Sequence, residues 1–249
     1  MEDKDYIYLR FPVQILRCEF KDLKKLCGDA IDYGLIERMK RHNLTGIEGF
    51  GKACELVGVN VLINKHSYLK ICNDTYNQYK DSIETIITCS IKKELLFEFR
   101  DKPKTEFEIA VFRFFIALNS IQGINKYGQA HYDRIFALMF GYNTDKVLEK
   151  DGLKMALLTE AERKIYLQYS TRKIREKITT TLQMDYYLKW YPAGQRGNFY
   201  SFKLGRRALA TIVETKKSND RKLKNALIGA NKKAKEWAVN DLKDNGLYY

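Results

Sequence analysis

Few side chains in this sequence have the kind and spacing that covalent or metal chemistry requires. The three histidines, His42, His66 and His131, stand far apart, with no His-x-His pair and no His-Glu-x-x-His. Cys54, His66 and Cys72 are zinc-type ligands, but their spacing matches no ordinary zinc site. There is no phosphate-loop lysine motif, and Gly49-Phe50-Gly51 lacks the spacing of a dinucleotide fingerprint. These residues lead to the expectation of a non-enzymatic protein with no cofactor and no metal.

What remains is the chemistry of cations and hydroxyls. In the stretch TRKIREKITTTLQ, Ile174, Ile178 and Leu182 recur at i, i+4 and i+8. Arg172, Lys173, Arg175, Lys177, Thr179 and Thr180 are then expected to face outward. Arginine and lysine neutralise phosphates or read guanine edges, and threonine hydroxyls contact phosphate or base. A solvated basic face is the plain alternative. The run Thr179-Thr180-Thr181 speaks against it, because β-branched residues weaken an exposed helix. Downstream, the turn PAGQRG carries Gln195 and Arg196, and GRRALA carries Arg206 and Arg207.

Charge placement strengthens that reading. The chain holds 44 Lys/Arg against 31 Asp/Glu, a net of +13. Residues 160–235 alone hold 19 basic and 6 acidic residues, also a net of +13, so the remaining 25 of each sign cancel. An excess concentrated in this way suits a polyanionic partner.

The elements that must position these residues are mostly helical. Tyr6 to Phe11 has strand composition and stops at Pro12. Val13 to about Arg41 reads as helix, broken near Gly28. Further helices are expected over Phe50–Val57, Asn60–Tyr79 and Ile91–Arg100, although Val61-Leu62-Ile63 equally suits a short strand, and Ser82–Cys89 suits helix or strand. Thr105 and Glu108 form a capping-box pair that opens a helix with its apolar stripe on Phe107, Ala110, Val111, Phe114, Phe115, Leu118 and Ile121. Arg113 is expected away from that stripe. Gln129–Phe140 reads as a second helix ended by Gly141. Thr159 and Glu162 repeat the capping box before TEAERKIYLQY, and Ser170-Thr171 separates it from the basic helix. YYLKWY and NFYSFKL flank PAGQRG as a β-hairpin. The tail from Gly205 to about Leu242 is basic and helical, with an interruption near Lys217–Asp220.

A short helix, a tight turn, a basic helix and a hairpin, in that order, resemble the winged helix-turn-helix family of DNA-binding domains. The resemblance covers about Thr105 to Leu204 and is one of pattern. It implies that TRKIREKITTTLQ is a recognition helix and PAGQRG the tip of a wing. It further implies a duplex DNA partner, and a role in replication initiation, as in plasmid and phage initiators, or in transcription regulation. The fold class expected is mainly α (α+β). A helical N-terminal domain over 1–103, suited to homodimerisation or partner binding, precedes a winged-helix domain and basic tail over 104–249. The rivals are a protein-interaction module with a basic face, and binding of RNA or single strands.

The remaining composition fits. Only three prolines occur, and an apolar share of 45% suffices for a packed core. No hydrophobic run approaches the roughly 20 residues needed to span a bilayer. The acidic start MEDKD is no secretory signal, and five scattered cysteines suit a reducing compartment. The expectation is a cytoplasmic protein with no membrane partner.

Overall fold

The computed structural model describes residues 8–61, 64–80, 87–142, 158–193 and 197–244, with side chains in the last helix given up to Lys222 and at a few positions beyond. The chain is mainly helical with two small antiparallel sheets. Strand β1 (Tyr8–Pro12) pairs with β2 (Thr88–Lys92), Arg10 lying opposite Ser90. Leu9 and Phe11 point into the core while Tyr8 and Arg10 stay exposed, the alternation of a half-buried strand. A single 3-10 turn, Val13–Arg17, follows.

Helix α1 (Leu23–Arg41) starts where Asp22 accepts a hydrogen bond from the Lys25 amide at 2.9 Å. The expected break near Gly28 is absent. The chain instead turns at Cys18–Asp22, and α1 runs straight through Gly28. A mid-helix glycine costs about 1 kcal/mol, and the buried Leu26, Cys27, Ala30, Ile31 and Leu35 offset it. Helices α2 (Gly46–Val57), α3 (Lys65–Lys80) and α4 (Lys93–Asp101) pack around α1. Three boundaries move: α2 begins at Gly46 rather than Phe50, α3 begins at Lys65 rather than Asn60, and Ile91 belongs to β2 rather than to α4.

Helix α5 (Glu106–Gln122) is the spine of the molecule. Its expected capping box is present: Thr105 Oγ1 accepts from the Glu108 amide, and Glu108 accepts from the Thr105 amide at 2.8 Å. Phe112 stacks on Phe99 at 3.9 Å, and Phe114 meets Phe136 edge-on. One cluster of buried side chains runs from Leu9 to Tyr200. Arg113 overturns its expected place away from the apolar stripe, since it is only 1% exposed. Its guanidinium donates to the carbonyls of Leu16 at 2.8 Å and Glu19 at 2.9 Å, and more loosely to those of Met139 and Cys18.

Beyond α5 come β3 (Gly128–Ala130), α6 (Tyr132–Met139), α7 (Glu160–Tyr169), α8 (Arg172–Asp185), β4 (Lys189–Pro192), β5 (Asn198–Ser201) and α9 (Arg206–Asp244). The three strands form an antiparallel sheet in the order β3-β5-β4. Gln129, expected at the start of a helix, lies in β3, because Gly128 pairs with Tyr200 of β5. A Cβ built on Gly128 would come within 2.4 Å of Tyr200 Cζ. Gly128→Ala is therefore expected to cost about 1–3 kcal/mol, the scale of overpacking, and thermal melting against wild type measures it. The interruption expected in the tail is also absent. Ser218, Asn219 and Asp220 are weak helix formers, but they cost only fractions of a kcal/mol each, and α9 continues through them.

Candidate nucleic-acid interface

Helices α7 and α8 are joined by two residues, Ser170 and Thr171. The capping box of α7 is complete, and Glu162 also accepts from the Tyr142 hydroxyl at 3.0 Å. On α8, Ile178 and Leu182 are buried and Ile174 is half-buried, so the expected stripe holds the helix down. Arg172, Lys173, Lys177 and Thr180 are exposed. Arg172 pairs with Glu176 one turn on at 2.8 Å, which raises its pKa.

Two of the expected contact residues are placed differently. Thr179 is buried, 6% exposed, and its hydroxyl donates back to the Arg175 and Glu176 carbonyls at 3.0 Å. The threonine run thus straddles the edge of the stripe, one member inside and one outside. Arg175 is half-buried with its guanidinium 4.1 Å from the centroid of the Tyr132 ring. Thr179→Val is accordingly expected to leave nucleic-acid preference unchanged, while Thr180→Ala alters it; selection from a random duplex pool with each variant reads the difference.

The hairpin begins at Lys189, later than the expected Tyr186, because Tyr186 ends α8 and Tyr187 turns the chain with φ +57°. Tyr191 faces Phe199 and Trp190 faces Tyr200 across β4–β5. Trp190 also stacks on Tyr200 at 5.9 Å, so these aromatics pair strands rather than offer platforms. Gln195 and Arg196 lie outside the described residues, but the loop that carries them is closed by the Ala193 amide donating to the Gly197 carbonyl at 3.0 Å. Arg206 and Arg207 are exposed in the first turn of α9. That helix is anchored by Leu209 and Val213 against Phe199, while Lys216 lies over the Tyr127 and Phe199 rings.

Helix starts differ, and first turns without an acid occur in α1 and α3 as well as in α8 and α9. The starts of α5 and α7 carry glutamates and capping boxes. The first turns of α8 and α9 carry no acid and open on Arg172-Lys173 and Arg206-Arg207. Thr171 occupies the N-cap of α8 yet makes no side-chain cap bond. Cations at the positive end of a helix dipole are unfavourable by about 0.3–1 kcal/mol each, and uncapped amides there are free to bind an anion.

A separate buried group, unmarked by any motif, sits between α1 and α3. Asp32 accepts from the Tyr68 hydroxyl at 2.7 Å, and burial raises its carboxyl pKa. Burial also pushes the nearby thiols up, Cys54 to about 11. Cys54 and Cys72 are buried while His66 is exposed, and among the described residues no group of three or more metal-type ligands gathers. Because the folded pKa of Asp32 lies above the unfolded value, its contribution is present below the unfolded pKa and is lost as pH rises through the folded one. Asp32→Asn keeps an acceptor for Tyr68, so it is expected to raise the melting temperature at pH 7 and to give no gain near pH 3. Melting curves across pH would refute this if the variant were the less stable at neutrality.

Among the described residues no helix is long and apolar enough to cross a membrane. Comparison with known proteins gives no matching family model, no matching curated protein and no matching solved structure.

Proposed function

We propose that residues 104–249 form a winged helix-turn-helix unit that binds duplex DNA, serving replication initiation or transcription regulation without catalysis. In this reading α7 and α8 are the helix-turn-helix, β4–β5 is the wing, and Gln195 and Arg196 tip it. The order helix, strand, helices, strand, strand supports it, with the last strand central in β3-β5-β4. The observation that carries it is the basic, uncapped first turn of α8, held down on one side by Ile178 and Leu182 and exposed on the other. Phosphate oxygens at that turn would accept from its amides and neutralise Arg172 and Lys173. Lys177 and Thr180, one and two turns further along, then lie where base edges pass.

The test is fluorescence anisotropy of labelled duplexes, single strands and RNA hairpins between low and physiological salt. Tightest binding to duplex, weakening steeply with salt, is the expected result. No duplex binding at low salt would end the reading and leave a protein-interaction module with a basic face.

A further inference from the structure

A cavity of about 500 Å³ opens on the outer face of the β1–β2 sheet, where that sheet meets the end of α5 and the chain after β5. Its charged residues are Arg10, Arg41 and Lys203, and no carboxylate lines it among the described residues. A neighbouring cavity of about 450 Å³ shares Tyr8, Ser90, Asn119 and Phe202 with it and carries on to Tyr186 and Tyr187. Together they make a trough with a cationic end, an aromatic middle and a far rim of mixed charge that carries Glu94, Glu98 and Asp185 beside Lys92, Glu98 being paired with Lys104 at 2.6 Å.

Some of the groups in it keep donors and acceptors to spare. Arg10 spends one donor on Thr88 Oγ1 at 3.0 Å and pairs with no carboxylate among the described residues. Arg41 pairs with Glu37 on its own helix, and Lys203 Nζ is held by the carbonyls of Gly123 at 2.9 Å and Asn125 at 3.2 Å. The Ser90 hydroxyl and the Asn119 carboxamide have no hydrogen-bond partner among the described residues. Tyr8 is 43% exposed, although its neighbours Leu9 and Phe11 are wholly buried.

We propose that this trough binds a nucleotide, with the phosphate at the Arg10, Arg41 and Lys203 end and the base against Tyr8 and Phe202. Arg10 has no carboxylate partner among the described residues. Arg41 and Lys203, though already engaged with Glu37 and with two carbonyls, add positive charge around the same concavity, which favours an anion there. An exposed ring, Tyr8, and a half-buried one, Phe202, beside cations match the pattern of base stacking next to a backbone phosphate. A free carboxamide such as that of Asn119 offers the donor and acceptor that a base edge takes. The volume is that of a small-molecule site. At the opposite end the carboxylates of Glu94, Glu98 and Asp185 outnumber the one lining lysine, Lys92, so phosphate is favoured at the Arg10 end. A duplex keeps its base faces stacked, so the ligand is a free nucleotide or a nucleotide within a single strand. The inference does not rest on the duplex reading, because Tyr186 and Tyr187 place the trough at the C-terminal end of α8, about 20 Å along the helix from Arg172.

Two probes on the full chain separate the sources: thymidine and adenosine monophosphates by calorimetry, and a labelled oligothymidylate by anisotropy. Arg10→Ala is expected to weaken whichever probe binds by about tenfold or more, the scale of a lost charge-assisted hydrogen bond. Tyr8→Leu weakens it as well, with duplex affinity unchanged in both. Binding of the monophosphates that is sensitive to Arg10 assigns a free nucleotide, and binding of the oligonucleotide alone assigns a single strand. Should Arg10→Ala unfold, Asn119→Ala, which touches no strand pairing, takes its place and is expected to weaken the same probe. Absence of binding by both probes, or wild-type affinity in these variants, overturns the proposal.

Discussion

Arg113→Met is expected to destabilise the chain by about 3–5 kcal/mol, the cost of breaking a buried charged network. The guanidinium anchors the turn between the 3-10 segment and α1 through Leu16, Cys18 and Glu19, and it reaches the end of α6 through Met139. Methionine fills similar volume but leaves those carbonyls without donors, at about 1–3 kcal/mol for each one that stays buried. It also loses the contact in which the guanidinium lies 5.0 Å from the centroid of the Phe20 ring. Burial lowers the arginine's pKa, yet the group stays charged throughout the neutral range, so the loss should not depend on pH there. Lysine recovers only part, because one ammonium cannot span carbonyls arranged for a planar fork. Urea unfolding followed by circular dichroism measures the difference. A loss below about 1 kcal/mol would mean that water replaces the missing donors.

The triple substitution of Arg172, Lys173 and Lys177 by alanine is expected to abolish most duplex binding at physiological salt. Each phosphate contact contributes about 0.9 to the slope of log affinity on log salt, so three lost contacts flatten that slope by about 2.7. Arg175 is left out of the set because it is half-buried with its guanidinium on Tyr132, whereas Lys177 stays exposed although its ammonium lies 4.5 Å from the centroid of the Phe107 ring. Replacement of Arg175 should lower stability more than affinity. Folding of the triple variant should be intact, since all three side chains are exposed. A triple variant that binds duplex with an unchanged slope would remove α8 from the interface.

Much of the candidate interface is legible in the sequence because it rests on local rules. Both capping boxes, the Ile174–Ile178–Leu182 stripe and the hairpin follow from spacing within one element. The departures concern partners distant in sequence. Gln129 is strand because β5, some seventy residues on, needs a neighbour and Gly128 leaves room for Tyr200. Thr179 reads as solvent-facing because a three-residue apolar stripe looks narrower than the surface α8 buries against α5. Arg113 does carry a local signal. A single charge inside the run Phe112 to Ile116, with apolar residues on both sides, cannot avoid the core of a helix buried nearly all round. The trough is out of reach of such rules, since it joins β1, β2, α5 and the chain after β5.

Helix α9 holds 39 residues, and among the residues whose side chains are described its anchors Leu209 and Val213 lie in its first three turns. About 30 residues beyond Val213 extend some 45 Å at 1.5 Å per residue. A rod held only by anchors in its first three turns would be a lever arm. A tilt of only about 10° in the sheet that holds its base would sweep the far end through about 8 Å at that length. Any tilt of β4–β5 would then be magnified along α9, where a pair of spin labels on α9 and α1 would register it as a change in separation.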